Sequence, residues 1–147
     1  MAAGAWTVFN IAKKKIGDGT LDLDTHTFKM ALTTSSQALA DTFAGSSTDC
    51  RYADLTNEVA NGNGYTTGGK TLSATWTRAT GTITFDVDDQ AWTSSTITAR
   101  YAVIYDDTAT NKDLLCFCLL DSTPADVSTV SGTLTVTINA SGVFTLA

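Results

Sequence analysis

The segment Gly64-Tyr65-Thr66-Thr67-Gly68-Gly69-Lys70-Thr71 carries every fixed position of the phosphate-binding pattern G-x-x-x-x-G-K-[ST]. In that pattern backbone N–H groups of a glycine-rich loop cradle phosphates, the lysine reaches the outer ones, and the hydroxyl residue ligates magnesium. The chemistry needs a buried strand entering the loop and a helix leaving it, with the helix N-terminus aimed at the anion. Neither flank fits. The approach from Asp54 to Asn63 is polar and turn-rich, whereas a strand before a P-loop is a nearly continuous apolar run. After Lys70, Leu72, Ala74 and Trp76 alternate with Ser73, Thr75 and Thr77, which is strand periodicity. Ala102 to Asp106 has the form of an apolar strand ending in a magnesium-binding aspartate, but many buried strands end in Asp at a turn. The expected role of Gly64 to Thr71 is therefore a glycine-rich turn leading into a strand.

The remaining reactive residues are scattered. His26 is the single histidine, and nothing around it resembles a nucleophile elbow. Cys50, Cys116 and Cys118 form an odd set without framework spacing; the second and third, in an extended Leu114 to Leu120, point to one face as buried reduced thiols do. Asp86, Asp88 and Asp89, with Asp106 and Asp107, would surround a hard cation only if their turns adjoined, and no calcium-loop spacing is present. Trp76 and Trp92 are candidates for sugar-stacking platforms, with core packing the commoner fate of such rings. No catalytic set, cofactor site or metal site is expected, so the sequence reads as that of a non-enzyme.

These residues must be positioned by a mainly β domain. One short N-terminal α-helix is signalled by Ala5, Val8, Phe9, Ala12 and Ile16 at helical spacing, with Lys13 to Lys15 in the last turn and Gly17 as a C-terminal cap. It packs on its own domain, or serves as an arm whose Trp6 and lysine edge dock on a partner. Strands are expected over Thr27 to Thr34, Thr71 to Arg78, Thr82 to Val87, Ile97 to Tyr105, Leu114 to Leu120, Thr133 to Asn139 and Val143 to Leu146, with a short piece at Leu21 to Leu23. Threonine makes up about a fifth of the chain, and a β-branched polar residue suits the solvent face of a strand. About seven short strands with intervening turns imply an antiparallel β-sandwich or small barrel. The whole chain, 1–147, reads as a single domain: a helix or arm over 1–17 and a β domain over 20–147 with a long loop at 35–69, which is a contact surface or is folded on its own sheet.

The 147 residues suffice to bury a core without metal or disulfide staples. A net charge of −6, with Lys13-Lys14-Lys15 the only basic run, speaks against nucleic acid as a partner. No apolar stretch has the length of a bilayer-spanning helix, so no membrane association is expected.

Read as a whole, the order of pieces resembles a group of small virion structural proteins of tailed bacteriophages. Three stretches carry the resemblance. They are Leu21-Asp22-Leu23-Asp24-Thr25 followed by Phe28-Lys29-Met30-Ala31-Leu32-Thr33-Thr34; Leu55-Thr56-Asn57-Glu58-Val59 followed by Gly64-Tyr65-Thr66 and Gly68-Gly69; and Trp92 through Asp106. The resemblance implies a capsid decoration or cement protein on the exterior of the shell, made in the host cytoplasm, with the major capsid protein or another virion protein as partner. It also implies a homo-oligomer, for which a trimer is the expectation, and no catalytic residues. A tail or head-to-tail component is the alternative within that setting, and a carbohydrate-binding β-sandwich module using Trp76, Trp92 or Tyr65 is the alternative outside it. The residues expected to contact a partner are Trp6, Phe9, Lys13, Lys14 and Tyr65.

Overall fold

The computed structural model describes residues 3–44 and 49–147. Its elements run β1 (Thr7–Val8), α1 (Asn10–Gly17), β2 (Phe28–Thr33), a 3-10 turn (Tyr52–Asp54), β3 (Lys70–Thr71), β4 (Ala74–Ala79), β5 (Thr82–Val87), β6 (Gln90–Ser95), β7 (Thr98–Ala99), β8 (Tyr101–Asp106), β9 (Leu114–Leu119), β10 (Val127–Ser128), β11 (Gly132–Val136) and β12 (Phe144–Leu146). A five-stranded sheet has the order β1-β9-β8-β2-β3; smaller groups are β12-β5-β4, β11-β6 and β10-β7. Every pairing is antiparallel. The architecture is mainly β and sandwich-like, with one short N-terminal helix, as the alternation implies.

Register shows how the layers form. Opposed residues of an antiparallel pair share a face, so Ala31, Val103 and Phe117 lie on one side of the large sheet and Met30, Ile104 and Cys116 on the other. On the first side Phe117 packs against Phe9, at the entry to α1, with centroids 5.0 Å apart, and Tyr105 stacks on Tyr52 of the 3-10 turn at 4.6 Å. On the second, Phe28 meets Phe85 of β5 nearly edge-on at 5.2 Å. Strands β8 and β9 are covered on both faces, which is why their sequences are apolar at almost every position.

Several boundaries differ from the sequence reading. The helix begins at Asn10, because the residues before it extend along β9: Thr7 pairs with Phe117 and Val8 with Cys116, and Gly4 N–H donates to the Leu119 carbonyl at 2.9 Å. Its C-cap is Asp18, whose N–H reaches the Lys14 carbonyl, and Gly17 is the last helical residue. Leu21 to Leu23 forms a turn; Leu21 and Leu23 are buried while the Asp22 carboxylate accepts from the N–H groups of Asp24 and Thr25. Twelve strands appear among the described residues against about seven expected, because two-residue pairings such as β1, β7 and β10 are too short to show a period. Strand β6 was missed because Gln90 and Ser95 face inward beside Trp92, obscuring the alternation.

The helix is held to the sheet by charge as well as by packing. The Lys15 ammonium, itself buried, ion-pairs with the buried Asp113 carboxylate next to β9 and lies 3.4 Å from Asp49. Burial acts to lower the Lys15 ammonium, but hydrogen bonding and charge from Asp113, joined by Asp49, outweigh it and hold the group above its ordinary value.

Candidate functional site

The chain leaving Gly69 enters β3, where Met30 opposes Lys70 and Lys29 opposes Thr71; no helix starts there. The glycines serve close approach to the protein's own backbone. Gly69 has φ +74, and a Cβ at that position would lie 1.8 Å from the Met30 carbonyl oxygen; at Gly64, φ +87, it would lie 2.8 Å from Ser95. The loop's N–H groups are turned inward too. Tyr65 donates to the Gly62 carbonyl, Thr67 to Asn61 Oδ1, Gly69 to the Thr66 carbonyl and Gly68 to Glu58. The Lys70 ammonium donates to the Ala91 carbonyl of β6 and sits 5.6 Å from the Trp92 ring centroid, a cation–π distance. A phosphate cradle presents free N–H groups at a helix N-terminus. Here the same letters fasten a loop between β2 and β6.

The fastening converges on Glu58. Its Oε1 accepts from the Tyr65 hydroxyl at 2.6 Å and from Gly68 N–H at 2.7 Å, and its Oε2 accepts from the Tyr52 hydroxyl at 2.5 Å. The Tyr65 hydroxyl in turn accepts from Leu32 N–H at 3.0 Å, and the Tyr105 hydroxyl donates to the Gly68 carbonyl at 2.7 Å. Burial, followed by the hydrogen bond to Glu58, holds the Tyr65 and Tyr52 phenols well above their ordinary range; burial, followed by the charges of Asp107 and Glu58, does the same for Tyr105. All three stay protonated donors at neutral pH. The long loop, irregular in sequence, is thus folded on its own sheet at its second half, with further bridges from Thr33 to Glu58 and from Arg51 to Asp113. At its first half, Gln37 Oε1 accepts from Asn57 N–H and the Asp41 carbonyl accepts from Asn10 N–H.

The other reactive groups are each occupied within the fold. His26 Nδ1 donates to Asp106 Oδ2 at 2.5 Å; Asp106 is fully buried, and its Oδ1 accepts from Thr108 and Ala109 N–H, so the pair closes the β8–β9 turn onto the start of β2. Asp107 pairs with Lys112 and Lys29, Asp88 accepts from Ser73 N–H and Gln90, and Asp89 accepts from Ile138 N–H. Among the described residues no three His, Cys, Asp or Glu side chains gather as a metal ion would require. All three thiols are free and buried. Burial pushes Cys50 and Cys118 up to about 12 and holds Cys116 well above its ordinary value, so no thiolate forms near neutral pH.

Of the expected contact residues, Phe9 and Tyr65 lie in the core and lack the open ring a partner would touch. Trp6 is half-buried, and Lys13 and Lys14 are exposed, hydrogen-bonded to Asn10 at 2.9 Å and Asp18 at 3.0 Å. Trp92 is only 2% exposed, and half-buried Trp76 packs near Phe85 and Phe144. Apolar surface stays open around the helix, while the most exposed large apolar side chain, Val130, lies apart from it. A groove of about 330 Å³ runs between α1 and β12, lined by Val8, Lys13, Ile16, Phe144 and Leu146, with Leu146 47% exposed. A second, of about 510 Å³, separates Ala3 to Trp6 from Val136 to Asn139. Sequence reasoning missed Glu58 as a hub, although a signal existed: it is the single glutamate among fifteen acidic side chains, placed between tyrosines. No helix among the described residues is long and apolar enough to cross a membrane. No family model, curated protein or solved structure matches the chain.

Proposed function

We propose that the chain is a non-enzymatic virion structural protein of a tailed bacteriophage, a capsid decoration or cement protein that binds the outer shell and bridges capsomers. One observation carries the reading. The groups that could perform chemistry are bound into the fold, His26 by Asp106, Lys70 by Ala91 and Trp92, and Glu58 by three donors, while apolar surface is left open between α1 and β12. An apolar groove rimmed by Lys13 suits a partner presenting an apolar side chain beside a carboxylate, such as a capsid protein surface. On a repeating shell, many copies of a modest contact sum to firm attachment through avidity. The net charge of −6 supports solubility of the free protein before assembly and disfavours nucleic acid as the partner.

The test is composition of purified particles: the chain should be present in hundreds of copies, and its absence from virions would sink the proposal. A few copies per particle would move it to the tail or head-to-tail region. Paired substitution of Ile16→Asp and Leu146→Asp in the groove should abolish attachment with the fold intact. The carbohydrate-binding alternative is weaker, because burial of Trp92 and Tyr65 leaves only part of Trp76 to stack on a sugar.

A further inference from the structure

We infer that strand β4 is a self-association edge, pairing antiparallel with β4 of a second copy about a two-fold axis at Thr77. The inference goes beyond the virion role and does not rest on it. Among the described residues, strand β4, six residues long, has a single strand neighbour, β5, and Thr75 and residues 77–82 are exposed. The β4–β5 turn is the two-residue Thr80-Gly81 with positive φ at both positions, as tight hairpins require. Such a turn makes Ala79 and Thr82 a hydrogen-bonded pair, and bonded pairs then alternate along the ladder. Thr75, Thr77 and Ala79 therefore direct their backbone groups to β5. Ala74, Trp76 and Arg78 direct theirs outward. An open row of this kind is a template for another strand.

The side chains favour a second copy and one register. A two-fold axis through Thr77 opposes Trp76 to Arg78 of the other strand, twice, and both members of each pair have outward backbone groups, so both become hydrogen-bonded pairs. Opposed residues share a face, so each Arg78 guanidinium lies beside the partner copy's half-buried indole, where cation–π attraction operates. A charge on an edge ordinarily discourages pairing. Here Arg78 has no carboxylate partner among the described residues, and the symmetric register supplies it with a ring. Thr77 meets Thr77 at the axis, a favourable cross-strand pair. The contact is isologous, giving a continuous sheet β12-β5-β4-β4-β5-β12, and is two-fold where the sequence resemblance implied three.

Three measurements test it. Sedimentation equilibrium of the full chain should show a reversible dimer. Thr77→Cys should become a disulfide-linked dimer on mild oxidation, because the axis pair is non-hydrogen-bonded with Cα atoms about 4.5 Å apart, whereas Ser141→Cys, in an exposed turn, should form no disulfide-linked dimer. Arg78→Pro should abolish the dimer while keeping the circular dichroism spectrum and the melting temperature that the wild type shows when diluted to monomer, since the N–H it removes makes no bond within the chain. Arg78→Ala should weaken dimerisation roughly ten-fold. A wild type that remains monomeric at the highest attainable concentration overturns the inference, including when β4 then pairs with some other protein. So does a dimer that survives Arg78→Pro or that Thr77→Cys does not capture. Absence from virions would instead refute the structural role and leave this dimer untouched.

Discussion

Replacing Glu58 with alanine tests whether a single carboxylate holds the glycine-rich loop. The substitution strands three donors: the Tyr65 hydroxyl, the Gly68 N–H and the Tyr52 hydroxyl. Tyr65 is 2% exposed and has no route to water, whereas Tyr52 is half-buried and can turn its hydroxyl outward. A hydrogen bond to a charged group contributes about 1.5–3 kcal/mol, and a buried donor left unsatisfied costs about 1–3 kcal/mol. Counting two donors as lost and the third as largely rescued by solvent gives a destabilisation of roughly 3–5 kcal/mol. That is a large share of the 5–15 kcal/mol typical of a domain, and corresponds to a fall in melting temperature on the order of 10 °C. Glu58→Gln should cost less, roughly 1.5–3 kcal/mol, because its amide oxygen still accepts from Tyr65 and Gly68 while only the Tyr52 bond is compromised. Urea unfolding followed by tryptophan fluorescence is the assay, since Trp92 stacks 6.2 Å from Tyr65 and reports on this corner of the core. If Glu58→Ala unfolds within 1 kcal/mol of wild type, or if the Gln and Ala variants are indistinguishable, the hub reasoning is wrong.

Gly69→Ala should fail to fold or lose more than about 4 kcal/mol, because its Cβ would overlap the Met30 carbonyl at a positive φ; soluble expression and thermal melting would show it. Neither wild type nor Lys70→Ala should bind magnesium ATP by calorimetry, while the variant should lose roughly 1–2 kcal/mol of stability with the hydrogen bond to Ala91 and the indole contact. Alkaline pH should destabilise the fold. Tyr52, Tyr65 and Tyr105 are raised from 10.0 and Lys15 from 10.5, so the native state keeps protons that the unfolded chain releases. Their contribution is whole below about pH 10 and falls above it, by about 1.4 kcal/mol per pH unit for each group titrating only in the unfolded chain. A flat unfolding free energy from pH 9 to 11.5 would contradict the assigned burial.

The strand pattern was legible where one face is wet. Thr82 to Val87 carries a period that burial imposes directly and has the expected limits, whereas Phe28 to Thr33 falls within a residue of its expected limits although every residue but Lys29 is buried. Residues 97–105 read as one strand, yet the chain breaks at Arg100, whose N–H donates to the Thr33 carbonyl and whose carbonyl accepts from Leu120; that step depends on neighbours remote in sequence. The same holds for the extended residues before α1. Their apolar spacing fits a helix, but the free edge of β9 competes for their backbone and wins. The dismissal of the phosphate loop was possible from flanking periodicity alone. Identifying Glu58 and the His26–Asp106 pair was not, because each joins segments whose proximity only the folded sheet creates.

The pairing of β1 with β9 sets an order of events on the ribosome. Thr7 emerges 110 residues ahead of its partner Phe117. Until then Trp6, Val8 and Phe9 travel without a sheet to cover them, exposed to other nascent chains and to chaperones. Contacts so distant in sequence also slow spontaneous folding, since a long loop must close before they form. The large sheet is therefore completed by its earliest strand only once β9 has been made, and a chain released before residue 119 lacks the edge on which that strand is laid.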